Sequence, residues 1–290
     1  MHPLGRIAMI SVMAAGASLT ALAEHAATPD TVTFPSADQK TTLVGYVFRP
    51  AHAGAERLPA VVMMHGRAGA YSSAANGTYD ATTLSKRHKF WGETLAHEGY
   101  IALLVDGFGP RGYPHGFPQH SYGERPPELD ETTVRPLDAY GALAYLRSRP
   151  DVDPKAIALL GWSNGGSATL AAMAAETAAL AHPSIETGFR GGLAFYPACG
   201  LKGKFDEGYL PYAPVRVFIG SSDEEVSPKR CEALVEGSEM KGGDIKISVY
   251  PGATHDFDDP GTKRSSVDAN AEAVSDAVPK ALRFLGERLR

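Results

Sequence analysis

Short apolar runs alternate along the chain with stretches that favour helix, and this alternation predicts most of the secondary structure. Thr31–Phe34 and Thr42–Phe48 read as two strands around the polar turn Ser36–Lys40. Pro59–Met64 and Tyr100–Val105 are buried strands on either side of a helix over Leu84–His97 that ends near Gly99. Asp106–Thr133 is irregular, rich in Gly, Pro, His and aromatic residues, and leads into a helix over Val134–Arg147. The apolar run around Ala156–Leu160 is a strand, and the small-residue stretch from Gly165 to Ala175 is a helix able to pack closely on a sheet. Further strands fall at Leu193–Tyr196, Val215–Ile219 and Ile245–Tyr250. A last helical region spans Ala271–Leu289, with a kink or break expected at Pro279. The pattern predicts an α/β protein with a mostly parallel central sheet covered by helices on both faces. In such sheets functional groups collect at the carboxyl ends of the strands. His65, Asp106, Ser163, Cys199, Asp223 and His255 all fall there.

Composition narrows the picture without changing it. The 290 residues provide one sizeable core, and neither internal repeats nor an interdomain linker stand out. The net charge of -5 offers no footprint for nucleic acid or an anionic membrane. The N-terminus is a separate object. Met1–Arg6 carries positive charge, Ile7–Leu19 is apolar, and Ala21-Leu22-Ala23 gives an A-x-A site before Glu24. This is the three-part layout of a secretory signal peptide over residues 1–23, with residues 24–290 as a single domain. The apolar stretch is short for a membrane span, and no membrane anchor is expected. Export to a periplasmic or extracellular setting makes Cys199 and Cys231 a candidate disulfide, two buried thiols being the alternative. No His or Cys cluster with metal-ligand spacing is present, and His97-Glu98 does not extend to H-E-x-x-H.

The candidate chemistry centres on Gly161-Trp162-Ser163-Asn164-Gly165, a G-x-S-x-G motif between a strand and a helix. In that setting it reads as a nucleophile elbow with Ser163 at its tip. A serine hydroxyl is a weak nucleophile and needs a base, which in turn needs an acid to fix its tautomer. Of the two histidines downstream, His182 lies in a loop after the elbow helix, whereas His255 directly follows a strand. The acid is expected at Asp223, at the end of Val215–Ile219. Glu224 and Glu225 are adjacent rivals, and Asp256, Asp258 and Asp259 lie nearer His255 in sequence. The backbone amides of Asn164 and Arg67 are the expected oxyanion donors, with His65 orienting the second loop.

The elbow Gly161–Gly166, the Asp223 turn and Pro251-Gly252-Ala253-Thr254-His255-Asp256-Phe257 resemble the dienelactone hydrolase family of α/β-hydrolases. The resemblance runs from about Thr42 to the last helix. It extends to Val105-Asp106-Gly107-Phe108-Gly109-Pro110-Arg111-Gly112, which resembles exported members. It implies an α/β-hydrolase fold and hydrolysis of a small carboxylic ester or lactone with no cofactor. The chain departs from the dienelactone hydrolases proper, which use cysteine, at Ser163. Its enlarged loop from Asp106 to Val134 holds Arg111, Tyr113, His115, Phe117, His120, Tyr122 and Arg125. An arginine there offers a fork for a substrate carboxylate. Arg111, Tyr113 and Trp162 are the candidate substrate contacts. The alternatives are a peptidase or acyl-aminoacyl hydrolase on the same triad, and a non-catalytic binding protein on a hydrolase scaffold.

Overall fold

A single eight-stranded sheet carries the site. The computed structural model describes residues 28–51, 56–177 and 179–290; the expected signal peptide lies outside them. The strands are β1 (Asp30–Pro35), β2 (Thr42–Phe48), β3 (Leu58–Met64), β4 (Ile101–Asp106), β5 (Val152–Trp162), β6 (Gly192–Phe195), β7 (Val215–Gly220) and β8 (Ile245–Tyr250). Their order across the sheet is β1-β2-β4-β3-β5-β6-β7-β8. The first two pairings, β1 with β2 and β2 with β4, are antiparallel and all the others parallel. The predicted strands are all present. The largest change of extent is in β5, which begins four residues earlier than its apolar run. There Val152 pairs with Leu58 before a register shift around Pro154 brings Ile157 opposite Ala60.

The helices are α1 (Lys86–His97), α2 (Arg135–Ser148), α3 (Asn164–Met173), α4 (Pro228–Met240), α5 (Thr262–Ser265) and α6 (Asp268–Leu289). The Ser85 hydroxyl caps α1 and the Ser227 hydroxyl caps α4, each accepting from an amide of the first turn. Side-chain alternation shows that both faces of the sheet are covered. A Cβ on Gly161 would run into Gly165 and Thr169 of α3, whereas the next residue, Trp162, packs its indole on Trp91 of α1. Likewise a Cβ on Gly192 would meet Met173 of α3, and one on Gly191 would meet Phe284 of α6. So α3 lies on one face, and α1 and α6 on the other. The central strands β3 to β6 read as near-continuous buried runs for this reason.

Pro279 does not break the last helix, which is assigned continuously over 22 residues. The helix buries Ala273, Ala277, Ala281, Phe284 and Leu285 along one stripe, while Pro279 and Ser275 are exposed. The carbonyl that loses its partner to the proline therefore faces water, which satisfies it. The segment between β4 and α2, read as irregular, is tied down by three short 3₁₀ turns: Gly109–Arg111, Tyr122–Glu124 and Pro127–Leu129. Among the described residues no helix is long and apolar enough to cross a membrane.

Candidate active site

Ser163 stands between β5 and α3 with φ 51° and ψ -115°, a backbone conformation that a residue with a side chain rarely adopts. Strain of this kind costs on the order of 1–3 kcal/mol and persists only where the surroundings enforce it. Here the Ser163 amide donates to the Phe195 carbonyl (2.9 Å), and the Ser163 carbonyl accepts from the Ser167 amide (2.8 Å). The turn also depends on its glycines. A Cβ on Gly165 would collide with the Met64 carbonyl oxygen, and one on Gly161 with the carbonyl of Gly165. The motif thus brings the start of α3 hard against the end of β3.

Three side chains from three strand ends converge at this point. Ser163 Oγ lies 3.0 Å from His255 Nε2, and His255 Nδ1 lies 2.8 Å from Asp223 Oδ2. Both His255 and Asp223 are buried. Asp223 Oδ1 accepts the amides of Glu225 and Val226, each at 2.9 Å, which fixes the carboxylate plane. With Oδ2 as its acceptor, Nδ1 carries the proton and Nε2 faces Ser163 Oγ with its lone pair. Burial pulls the His255 pKa down, but the hydrogen bond to Asp223 and the charges of Asp256, Asp223 and Glu225 outweigh it, and the net shift is upward.

The rival acids are engaged elsewhere. Glu224 accepts the His255 amide (2.9 Å) and pairs with Arg264 (2.6 Å), so it holds the loop rather than the ring. Asp256 and Asp259 bind Arg87 at 2.7 and 3.3 Å. Asp258 lies beneath the site and accepts from Trp91 Nε1 and Trp162 Nε1, both at 2.8 Å, and from the Tyr196 hydroxyl. His182 is exposed in its loop.

The loop after β3 lies against the serine, with Gly66 so placed that a Cβ would be 3.3 Å from Ser163 Cβ. His65 Nε2 accepts the Gly107 amide (3.2 Å), so Nδ1 carries the proton and donates to the Gly66 carbonyl (2.7 Å). Burial, the first cause, and the nearby charge of Arg135 hold the His65 pKa well below its usual value. A neutral His65 therefore braces this loop. The Asn164 amide opens α3 and has no acceptor within the helix. It lies at the positive end of α3, next to the serine, and Arg67 lines the smaller cavity together with Ser163.

Arg135, not singled out from the sequence, joins these two segments. Fully buried, it donates through Nη1 to the His65 carbonyl (2.7 Å) and to Asn164 Oδ1 (2.5 Å). Asn164 Nδ2 in turn donates to Glu131 Oε2 (3.1 Å). Burial lowers the Arg135 pKa to about 10, which still leaves it charged at neutral pH. The available signal was a cation in the first turn of a helix, where the helix dipole disfavours it unless something else holds it.

A cavity of about 670 Å³ opens on one side of Ser163, lined by Tyr122, Arg125, Leu201, Lys202, Glu225 and Arg230 among others. A second, about 330 Å³, opens on the other side and is lined by Arg67, Arg87, His88, His255 and Asp256. The three expected substrate contacts line neither, and each has a physical reason. Arg111 makes a fork to Asp138 (2.8 Å on both arms) and reaches the Gly107 carbonyl (2.7 Å). Trp162 is fully buried and points through the sheet to Asp258. Tyr113 packs on Phe117 and directs its hydroxyl to Glu128. Of the loop residues, His120, Tyr122 and Arg125 face the larger cavity.

Cys199 and Cys231 form a disulfide that ties the loop after β6 to α4, and Cys199 lines the larger cavity.

A model of the dienelactone hydrolase family matches residues 43–289. Among solved structures, esterase 2 of Thermogutta terrifontis phosphorylated by paraoxon superposes with a TM-score of 0.64 at 18% identity, covering 89% of this chain and 95% of that one. A putative dienelactone hydrolase of Klebsiella pneumoniae gives 0.60 at 16% identity, covering 89% and 99%. A dienelactone hydrolase-like promiscuous phosphotriesterase from metagenomic libraries gives 0.64 at 17% identity, covering 91% and 100%. These likenesses establish the α/β-hydrolase fold. With the family match over residues 43–289, the chain belongs to the dienelactone hydrolase family of ester-bond hydrolases.

Proposed function

We propose that the protein hydrolyses small carboxylic esters or lactones through an acyl-enzyme on Ser163. The observation that carries this reading is the unbroken hydrogen-bond chain Ser163–His255–Asp223, at a strained turn open to two cavities. Ser163 Oγ attacks the carbonyl carbon as His255 Nε2 takes its proton. Asp223 keeps the ring oriented and stabilises the imidazolium. The amides of Asn164 and Arg67 hold the oxyanion, and the imidazolium protonates the leaving oxygen as the ester bond breaks. Water then repeats the sequence on the acyl-enzyme and releases the acid. The cavity sizes suit a small molecule divided between an acyl part and an alcohol part. Neither the peptidase nor the binding-protein alternative is favoured by the family or by the intact chain of three side chains.

The larger cavity supports a preference within that class. Arg125 and Arg230 both line it, and among the described residues neither has a carboxylate within ion-pair distance. Arg125 is half-buried beside Tyr122, with its Nε lacking an acceptor. Esters bearing an anionic group on the part bound there are the substrates this surface suits. The Cys199–Cys231 bridge supports export to an oxidising compartment, periplasmic or extracellular. The test is a panel of neutral and carboxylate-bearing p-nitrophenyl esters and lactones with wild type, Ser163→Ala and His255→Gln. Wild type should turn over, and both variants should fall by at least about 10³-fold. Equal turnover by all three would refute it.

A further inference from the structure

Ser163 lies where the two cavities meet, and one ion pair crosses the same boundary. Glu225 lines the larger cavity and Arg67 the smaller. The pair is bidentate, with Arg67 Nε 2.7 Å from Glu225 Oε2 and Nη2 2.6 Å from Oε1. Arg67 Nη1 is further anchored on the Phe117 carbonyl (3.1 Å). These bonds hold a carboxylate whose side chain is only 9% exposed, with Oε2 3.9 Å from His255 Nε2. That is the nitrogen facing Ser163 Oγ. The separation is too long for a direct hydrogen bond. It matches the span of two hydrogen bonds of about 2.8 Å that meet at one water oxygen at an angle of about 90°. Asp256, the other carboxylate near His255, is drawn away by Arg87.

We propose that Glu225 is a further catalytic residue, which holds the water that hydrolyses the acyl-enzyme. The inference rests on Ser163 being the nucleophile. Once the alcohol has left, His255 Nε2 is neutral and accepts one hydrogen of the incoming water. Glu225 Oε2 accepts the other. Both hydrogens are then directed away, and an oxygen lone pair is left facing the acyl carbon. As the oxygen–carbon bond forms, Nε2 takes the proton. Glu225 keeps its fork with Arg67 and serves only as a hydrogen-bond acceptor. Collapse of the tetrahedral intermediate breaks the bond from carbon to Ser163 Oγ. Oγ recovers the proton from the imidazolium, and the acid departs. In acylation the nucleophile is already fixed on Nε2 by the fold, so Glu225 has no water to place. Its removal should therefore slow the second half of the cycle far more than the first.

Stopped-flow hydrolysis of p-nitrophenyl acetate separates the halves. Glu225→Gln keeps the shape and loses the charge. It should release one p-nitrophenolate per enzyme at a rate within about threefold of wild-type acylation, followed by a steady state roughly 10–100-fold slower. Acetyl-enzyme should accumulate on Ser163, visible by mass after acid quench. Glu225→Asp, with the carboxylate drawn back, should show a smaller split in the same direction. Equal slowing of burst and steady state in both variants would assign Glu225 a merely structural role and overturn the proposal. Unchanged kinetics would overturn it too. Turnover that persists in Ser163→Ala, with no acyl adduct on wild type, is a distinct result that removes the serine reading and this inference together.

Discussion

Removing the disulfide should destabilise the protein while leaving its chemistry largely intact. Cys199 and Cys231 are 32 residues apart in sequence and join the loop after β6 to α4. In the chain-entropy treatment, a loop of that length restricts the unfolded chain by about 3.7 kcal/mol at 25 °C. The folded state loses little when the bridge opens. Cys231 is fully buried and Cys199 nearly so, and a thiol in an apolar setting behaves as a small hydrophobe. The effect therefore acts through the unfolded chain, and Cys199→Ala/Cys231→Ala should lower Tm by roughly 7–15 °C, using about 2–4 °C per kcal/mol for a chain this size. Reductant should reproduce the shift in wild type and leave the double variant unmoved. Differential scanning calorimetry with and without dithiothreitol measures it, with kcat/KM followed in parallel at 25 °C. Two titratable thiols in unfolded, unreduced protein exported to an oxidising compartment would rule out the bridge, and a reductant shift below about 1 °C would rule out its stabilising effect.

Acid should destabilise the fold before the carboxylates titrate. His65 and His88 are buried neutral, with His65 well below 6.5 and His88 lowered to about 3, burial being the leading cause for both. Their stabilisation is complete above pH 6.5 and is lost as pH falls below it; for His88 the loss is about 1.4 kcal/mol per pH unit, or roughly 2 kcal/mol by pH 5, and His65 adds to it in the same direction. His255 is shifted upward, so its contribution is already present below pH 6.5 and is lost as pH rises through its raised pKa. Urea unfolding at pH 7.5 and pH 5 gives the difference, and equal stabilities would contradict the buried-neutral assignment. In the larger cavity, Arg125→Gln should raise KM roughly 10-fold or more for a carboxylate-bearing ester and leave a neutral ester within about twofold. Equal effects on both would rule out recognition of an anion by Arg125.

The elements that position the site were legible because uninterrupted apolar runs end where polar chemistry begins. The bounds of β2 and β8 coincide with their sequence patterns, and Ser163, Asp223 and His255 follow three strands whose carboxyl ends meet. Partners across long sequence distances were not legible. Arg111 offers either a fork for a substrate carboxylate or a structural ion pair, and only the fold supplies the partner that decides it, Asp138 on the first turn of α2. Trp162 adjoins Ser163 in sequence, yet strand alternation sends its indole to the opposite face, towards Trp91 and Asp258. Glu225 looked like a spare acid beside Asp223. Its place beside His255 Nε2 is set by Arg67, which reaches it from another strand end. Arg135 carries no motif at all, and only the fold shows that it links His65 to Asn164.

If Ser163 is the nucleophile, activated by His255 and Asp223, it must be the residue that an electrophilic probe captures. The most direct measurement is labelling with a fluorophosphonate, followed by peptide mapping, in wild type, Ser163→Ala and Asp223→Asn. A single adduct is expected on Ser163 in wild type, none in Ser163→Ala, and labelling slowed by about 10³-fold or more in Asp223→Asn, where His255 loses the partner that fixes its tautomer. Labelling that persists at the wild-type rate in Ser163→Ala, or an adduct mapped to another residue, would contradict it.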